Sequence, residues 1–179
     1  MRISHVVLAL AGTLMCTGCS EMIALHPLVA DSEAVQDARL LGVWVDGSDS
    51  DNPMDVVRPD GSGYTISHSD KSSSAVYKLK AKMLKAGDAR ILDLTPAEED
   101  AFQIAAHTPL RVWLEGATLR MAFLDSKWLR EKAAAQLATQ QEVDRLLITS
   151  PQEEVTRFLL TYGGDDRAYG KINVLTRQQ

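Results

Sequence analysis

The stretch Tyr77-Lys78-Leu79-Lys80-Ala81-Lys82-Met83 indicates the fold class most directly. Its apolar side chains alternate with lysines, and a period of two places them on opposite faces of a β-strand. One face therefore suits a hydrophobic core, and the other carries a row of lysines that suits water. A sheet with one buried face is expected around this strand.

Further segments of the same kind lie on both sides of it. Pro59-Asp60-Gly61 and Gly116-Ala117 mark turns between them, because proline presets φ and glycine tolerates positive φ. Short connections favour antiparallel pairing of consecutive strands. The predicted strands cover residues 41–45, 54–58, 64–69, 77–83, 89–94, 110–114, 119–123 and 168–175.

The last third of the chain is predicted to be mainly helical. One helix begins at Asp125 or Ser126, and a second begins at Ser150-Pro151-Gln152-Glu153, which has a capping serine, a proline in the first turn and a following glutamate. An apolar stripe along the second helix has to be buried, and the nearest sheet in sequence is the hairpin 110–123, whose Trp113 would lie beneath it. The stripe consists of Val155, Phe158, Leu159 and Tyr162.

The N-terminal residues have the layout of an export signal. Arg2 precedes an apolar segment of about ten residues, which is too short to span a bilayer as a helix. Cys16-Thr17-Gly18-Cys19-Ser20 follows and resembles the lipobox of bacterial lipoproteins, in which small residues precede an acylated cysteine. The resemblance implies that Cys19 becomes the lipidated N-terminus. An ordinary secretory signal with an incidental cysteine is the alternative.

This resemblance divides the chain and implies a location. Residues 1–18 are the signal peptide, 19–38 a lipidated tether and entry segment, and 39–179 a single α+β domain. The mature protein is expected in the cell envelope, bound to membrane through the lipid on Cys19. Ser20 is not an aspartate, and by the same resemblance this favours the periplasmic face of the outer membrane.

Charge argues against a nucleic-acid partner. Removal of residues 1–18 takes away one basic side chain, Arg2, and leaves 24 acidic against 18 basic residues, a net charge of −6. Nucleic-acid binding requires a basic face to neutralise phosphates. The membrane contact must therefore be apolar, because an acidic protein gains nothing from anionic headgroups.

The segment Leu41-Gly42-Val43-Trp44 resembles the G-x-W start of lipocalin-like barrels, where the tryptophan closes one end as a plug. The layout is also similar to a group of bacterial lipoproteins with no assigned activity, through residues 91–94, 107–112 and 124–129. Six or seven strands are counted before the helices, not eight. The predicted fold is therefore α+β, an antiparallel curved sheet forming a partial lipocalin-like barrel, with C-terminal helices packed on it.

No motif predicts catalysis, a metal or a cofactor. The acidic loop between Asp46 and Asp55 offers oxygen ligands for calcium but has no EF-hand register, so a solvated loop is favoured. His26, His68 and His107 lack metal-ligand spacing, and His68 falls on the apolar face of its strand as a structural histidine. The Asp60-Gly61-Ser62-Gly63 turn is not a G-x-S-x-G nucleophile motif.

Three functions follow in order of expectation. The first is a non-enzymatic binding module presented to another envelope protein, the second a carrier of a small apolar ligand or lipid, and the third an enzyme. An internal cavity would favour the carrier, and a filled core with an exposed apolar patch would favour the module. The side chains expected to line such a cavity are Trp44, Tyr64, Ile66, Leu79, Met83 and Met121.

Overall fold

The computed structural model of the chain describes residues 22–46, 54–70, 75–98, 105–133, 135–141 and 146–178. The predicted signal peptide and Cys19 lie outside these ranges, as does most of the acidic loop. No helix within the described ranges is long and apolar enough to cross a membrane.

Eleven strands and two α-helices form in the described residues. The strands are β1 (Met22–Ala24), β2 (Gly42–Asp46), β3 (Met54–Asp60), β4 (Gly63–Asp70), β5 (Ala75–Ala86), β6 (Ala89–Pro96), β7 (Thr108–Glu115), β8 (Thr118–Phe123), β9 (Thr139–Gln141), β10 (Leu146–Ile148) and β11 (Asn173–Arg177). The helices are α1 (Ser126–Ala133) and α2 (Gln152–Tyr162), with 3-10 turns at Ala38–Leu40 and Asp166–Ala168.

Eight antiparallel strands form a closed barrel in the order β11-β2-β3-β4-β5-β6-β7-β8. The antiparallel curved sheet is confirmed, but the expectation of a partial barrel is wrong. The closing strand comes from the C-terminus, after both helices: Thr176 of β11 pairs with Val45 of β2 and with Thr118 of β8. Closure leaves no unpaired strand edge in the barrel, which removes a site for unwanted strand addition.

The two ends of the barrel differ. At one end, here called the closed end, tight turns join β3 to β4, β5 to β6 and β7 to β8. Each turn contains a glycine with positive φ, namely Gly61 at 55°, Gly87 at 61° and Gly116 at 62°, a conformation that favours glycine. The connections at the opposite end, here called the open end, are longer.

A plug of three buried side chains, Trp44, Tyr64 and Met83, fills the closed end. The indole N–H of Trp44 donates to the Leu40 carbonyl at 2.8 Å. The guanidinium of Arg177, from the last strand, lies 4.4 Å from the centroid of the same indole. The tryptophan is therefore held across this end of the barrel, as the G-x-W motif predicted.

Asp37 secures the plug from outside. Its backbone N–H donates to the Tyr64 hydroxyl at 2.6 Å, and its carboxylate accepts from Arg39 and Arg90. The hydrogen bonds from Arg39 lower the pKa of Asp37 from 3.8 to about 2. Burial raises the pKa of the Tyr64 phenol, so the hydroxyl stays protonated.

A second hydrophobic core lies outside the barrel wall. Leu84 on β5 and Ile91 on β6 point outward, where Phe158 and Leu159 of α2 belong to the same buried cluster. A Cβ at Gly163, just after α2, would lie 2.4 Å from Ile91 Cδ1, so the helix end approaches β6 closely. The predicted burial of the helical stripe is confirmed, but α2 packs on β5 and β6, not on the 110–123 hairpin.

Trp113 is consequently not covered by a helix. Its ring packs edge to face against Tyr169 at 5.9 Å, and the Arg111 guanidinium lies 4.4 Å from the Trp113 centroid and 4.9 Å from that of Tyr169. Arg111 also forms an ion pair of 2.9 Å with Asp166. Burial raises the pKa of Tyr169 to about 12. The connection between α2 and β11 is therefore fastened to the wall of the barrel.

The start of the described chain forms a strap, defined here as residues 22–37. Its β1 pairs in parallel with β10, which pairs antiparallel with β9. The described residues between α1 and α2 therefore include two strands, and the prediction that this part is helical is wrong. The Leu28 N–H donates to Asp93 at 2.9 Å, and the Leu28 carbonyl accepts from Thr156 of α2 at 2.7 Å. The sequence around residues 32–41 also favours a short helix with Asp31 or Ser32 as its N-cap, but only the 3-10 turn Ala38–Leu40 forms there. The Val35 N–H donates to the Met83 carbonyl of β5 at 2.9 Å instead.

Both α-helices begin where the sequence indicates. The Asp125 carboxylate accepts from the Trp128 N–H at 2.8 Å and caps α1. Ser150 does not cap α2, although the motif predicts it: its hydroxyl accepts from the Ala138 N–H at 2.8 Å and donates to Glu154 at 2.7 Å. The Ser150 hydroxyl oxygen, which could have capped α2, accepts instead from a backbone N–H of the segment after α1.

Candidate ligand cavity

A cavity of about 180 Å³ lies inside the barrel, between the plug and the open end. Apolar side chains from strands all around the barrel form most of its wall, and Leu40 of the first 3-10 turn also contributes. The side chains that line it are Leu40, Asp55, Val57, Ile66, His68, Leu79, Leu92, Leu94, Leu110, Val112, Leu119, Met121, Phe123 and Asn173.

Three of the six predicted lining residues contact this cavity, namely Ile66, Leu79 and Met121. The other three, Trp44, Tyr64 and Met83, belong to the plug and are at most 2% exposed. Strand alternation assigns all six correctly to the inner face of the barrel. It contains no information on depth along the barrel axis, which depends on how the strands are staggered.

Two polar side chains meet in the wall of the cavity. Nδ1 of His68 lies 2.6 Å from Oδ1 of Asp55, a hydrogen bond that orients the imidazole. The His68 side chain is 36% exposed and that of Asp55 is 15% exposed, so both lie on the side of the cavity that faces the open end. Asn173, an exposed residue at the start of β11, adds an amide at the same end.

The sequence contains a signal for the pairing of Asp55 with His68. Asp60 and Gly63 are opposite each other at the β3–β4 turn. Counting back from that turn in a two-stranded antiparallel register places Asp55 opposite His68. The sequence pattern places His68 on the apolar face of its strand and Asp55 in the strand 54–58, next to the acidic loop, without pairing the two. Asn173 could not be found in this way, since its strand is remote in sequence from its neighbours.

The size of the cavity limits what it can hold. An apolar cavity of about 150 Å³ is sufficient for benzene, and such cavities stay dry. Sites for drug-sized ligands range from about 300 to 1,000 Å³. The cavity therefore suits one aromatic ring or a short length of hydrocarbon, with any polar group directed towards Asp55, His68 and the open end.

The other two histidines considered as metal ligands, His107 and His26, do not line the cavity. His107 Nδ1 lies 2.9 Å from Asp93 Oδ1, and the buried Asp93 carboxylate also accepts from the strap. This pair fastens the strap to the barrel wall. His26 is exposed on the strap. Within the described ranges, no group of three or more histidine, cysteine or acidic side chains is arranged to hold a metal ion.

The described features define a small antiparallel barrel with a plugged end, an open end and an apolar cavity between them. Comparison of the chain with protein-family models, with curated proteins and with solved structures finds no match.

Proposed function

We propose that the protein is a lipid-anchored envelope protein that binds a small apolar ligand in a lipocalin-like barrel. The apolar cavity of about 180 Å³ is the observation that supports this most directly. Its wall is apolar except for a few polar groups near one end, which is the usual composition of a small-molecule site.

The lipocalin-like part of the proposal is supported by the N-terminal end of the barrel. A 3-10 turn, Ala38–Leu40, leads into the strand that contains Trp44, and the indole closes the barrel. The G-x-W resemblance predicted this arrangement. Eight strands in antiparallel order add to the likeness, and α2 on the outer wall is a further element of this chain.

The anchor is proposed from the sequence. Thr17-Gly18-Cys19 has the small residues and the cysteine of a lipobox, and Cys16, the only other cysteine, precedes the proposed cleavage site. Two or more acyl chains would hold the protein to a membrane stably. With Ser20 next to the cysteine, the outer membrane and its periplasmic face are the proposed location.

A module that binds another envelope protein is the second candidate, and it has less support. Away from the open end, the large apolar side chains exposed in the described residues are Val35 on the strap, at 38%, and Leu160 on α2, at 47%. Scattered apolar side chains of this kind are normal on soluble surfaces. The cavity thus favours the carrier over the module, and in either case we propose a binding protein and not an enzyme.

Binding can be tested with the mature lipoprotein in detergent, using benzene and phenol as single-ring probes and amide NMR shifts as the readout. We expect saturable shifts at residues of the cavity wall. Met121→Trp should fill the cavity and abolish them, whereas Leu160→Trp, a matched change on the outer face of α2, should leave them unchanged. Equal shifts in wild type and Met121→Trp would contradict a ligand site inside the barrel.

A further inference from the structure

We infer that the open end of the barrel rests on the lipid surface to which the protein is anchored, so that the cavity faces the bilayer. This inference rests on the proposed anchor at Cys19. It also defines the ligand class more closely, as an apolar molecule dissolved in the membrane.

The path of the strap is the first observation. Ala24 of β1 exchanges two backbone hydrogen bonds with His107, at 2.9 and 3.0 Å. His107 immediately precedes β7, which begins at the open end and runs to the Gly116 turn at the closed end. The strap then runs down the barrel wall, past Asp93, and reaches Met83 near the closed end. The described chain therefore starts beside the open end.

The distance from there to the anchor is short. Met22 is the third residue after Cys19, with Ser20 and Glu21 between them, and three extended chain steps span at most roughly 11 Å. Met22 is fully buried and paired with Leu146, so it does not lengthen the tether. A lipid on Cys19 thus holds the open end, and not the closed end, next to the membrane.

The surface of the open end is the second, independent observation. Four large apolar side chains near it are exposed, and they form the open rim as defined here: Val76 at 56%, Tyr77 at 57%, Ile172 at 39% and Val174 at 48%. Val76 and Tyr77 lie at the start of β5, Ile172 immediately precedes β11, and Val174 is the second residue of β11. In the closed strand order, three strands separate β5 from β11 in either direction, so the two pairs lie on opposite sides of the opening.

This arrangement suits a lipid surface. Contact with lipid at both sides of the opening would support the barrel upright on its end, which a tether alone does not do. Tyrosine is enriched at membrane interfaces because its ring is apolar and its hydroxyl is polar. Lys78, exposed on the same outer face as Val76, can extend its ammonium group to headgroups while its stem covers apolar surface.

The test uses single cysteines as reporters, since the lipid on Cys19 leaves the mature chain without another thiol. Val76→Cys and Val174→Cys report on the open rim, and Asp88→Cys, in the exposed β5–β6 turn, reports on the closed end. The lipidated proteins are labelled with a thiol-reactive fluorophore. They are then reconstituted into phosphatidylethanolamine–phosphatidylglycerol vesicles, with or without a nitroxide quencher on the headgroup.

We expect the nitroxide to remove more than half of the emission at positions 76 and 174 and little at position 88. Equal quenching at all three positions, or stronger quenching at position 88, would overturn the inference. Rim labels shielded from water but not quenched, in a protein that elutes as a dimer, would show that a second copy covers the rim. A mature protein that lacks the lipid mass and does not float with vesicles would overturn the proposed anchor itself.

Discussion

Replacing Phe158 by alanine tests whether α2 is part of the folded core. Phe158 is 4% exposed, and its ring lies 5.0 Å from that of Tyr162 and 6.1 Å from that of Trp128. Leu160, two residues further along the same helix, is 47% exposed and is the matched control. Alanine suits the helix at both positions, so helix propensity does not separate the two variants.

The expected loss follows from burial and from the surroundings of the ring. Truncation of a buried phenylalanine to alanine costs about 3–5 kcal/mol. Phe158 also borders an open groove of about 360 Å³ beside α2, so water can enter part of the space left by the ring. We therefore expect the lower part of the range, about 3–4 kcal/mol, out of a total stability of about 5–15 kcal/mol.

Thermal unfolding of the mature protein in detergent, followed by near-ultraviolet circular dichroism, measures the effect. For a chain of this size the loss corresponds to a lower midpoint by roughly 6–16 °C. Leu160→Ala should change stability by no more than about 0.5 kcal/mol. Equal midpoints for the two variants would refute the packing of α2 on β5 and β6, and the apolar stripe would then be a docking face.

Three further predictions concern charge, the strap and the anchor. Asp37→Asn should lower the free energy of unfolding by about 1–2 kcal/mol at neutral pH. Each pKa unit corresponds to about 1.4 kcal/mol, and solvent around the exposed Arg39 side chain reduces the effect. Folding lowers the pKa of Asp37 to about 2. The difference in the free energy of unfolding between wild type and Asp37→Asn, measured with urea, should therefore be largest above about pH 4 and disappear as the pH falls towards 2. A difference that does not change with pH would exclude a charge effect. Asp93→Ala should leave the buried N–H of Leu28 without an acceptor, at a cost of about 1–3 kcal/mol, and hydrogen exchange should accelerate in the strap before the barrel; unchanged exchange there would contradict the role of Asp93. Cys19→Ser should release the protein from the membrane fraction or leave it as a precursor, and a variant with wild-type mass that still enters detergent would show that the anchor lies elsewhere.

For the candidate site, the sequence predicts which side chains face the inside of the barrel but not how deep they lie. The apolar face of each strand follows from alternation, and Ile66, Leu79 and Met121 were predicted on that basis. Their depth in the barrel was not predictable, because it depends on strand stagger, and Trp44 and Met83 accordingly lie in the plug and not at the cavity. The pairing of Asp55 with His68 lies within one local hairpin, so the register of β3 and β4 counted from their turn predicts it.

The sequence by itself determined the barrel strands β2 to β8 and the starts of both helices, because alternation, tight turns and capping residues involve positions close together in the chain. The tertiary structure alone decided the closure of the barrel by β11, since its partners in β2 lie about 130 residues earlier. It also decided the pairing of β1 with β10 and the place of α2. The outward face of β5 changes from lysines to Leu84 and Ala86 after Lys82. Those side chains belong to a core to which both the strap and α2, from opposite ends of the chain, contribute. The local sequence pattern shows that a strand face must be buried, whereas the tertiary structure decides which element packs on that face.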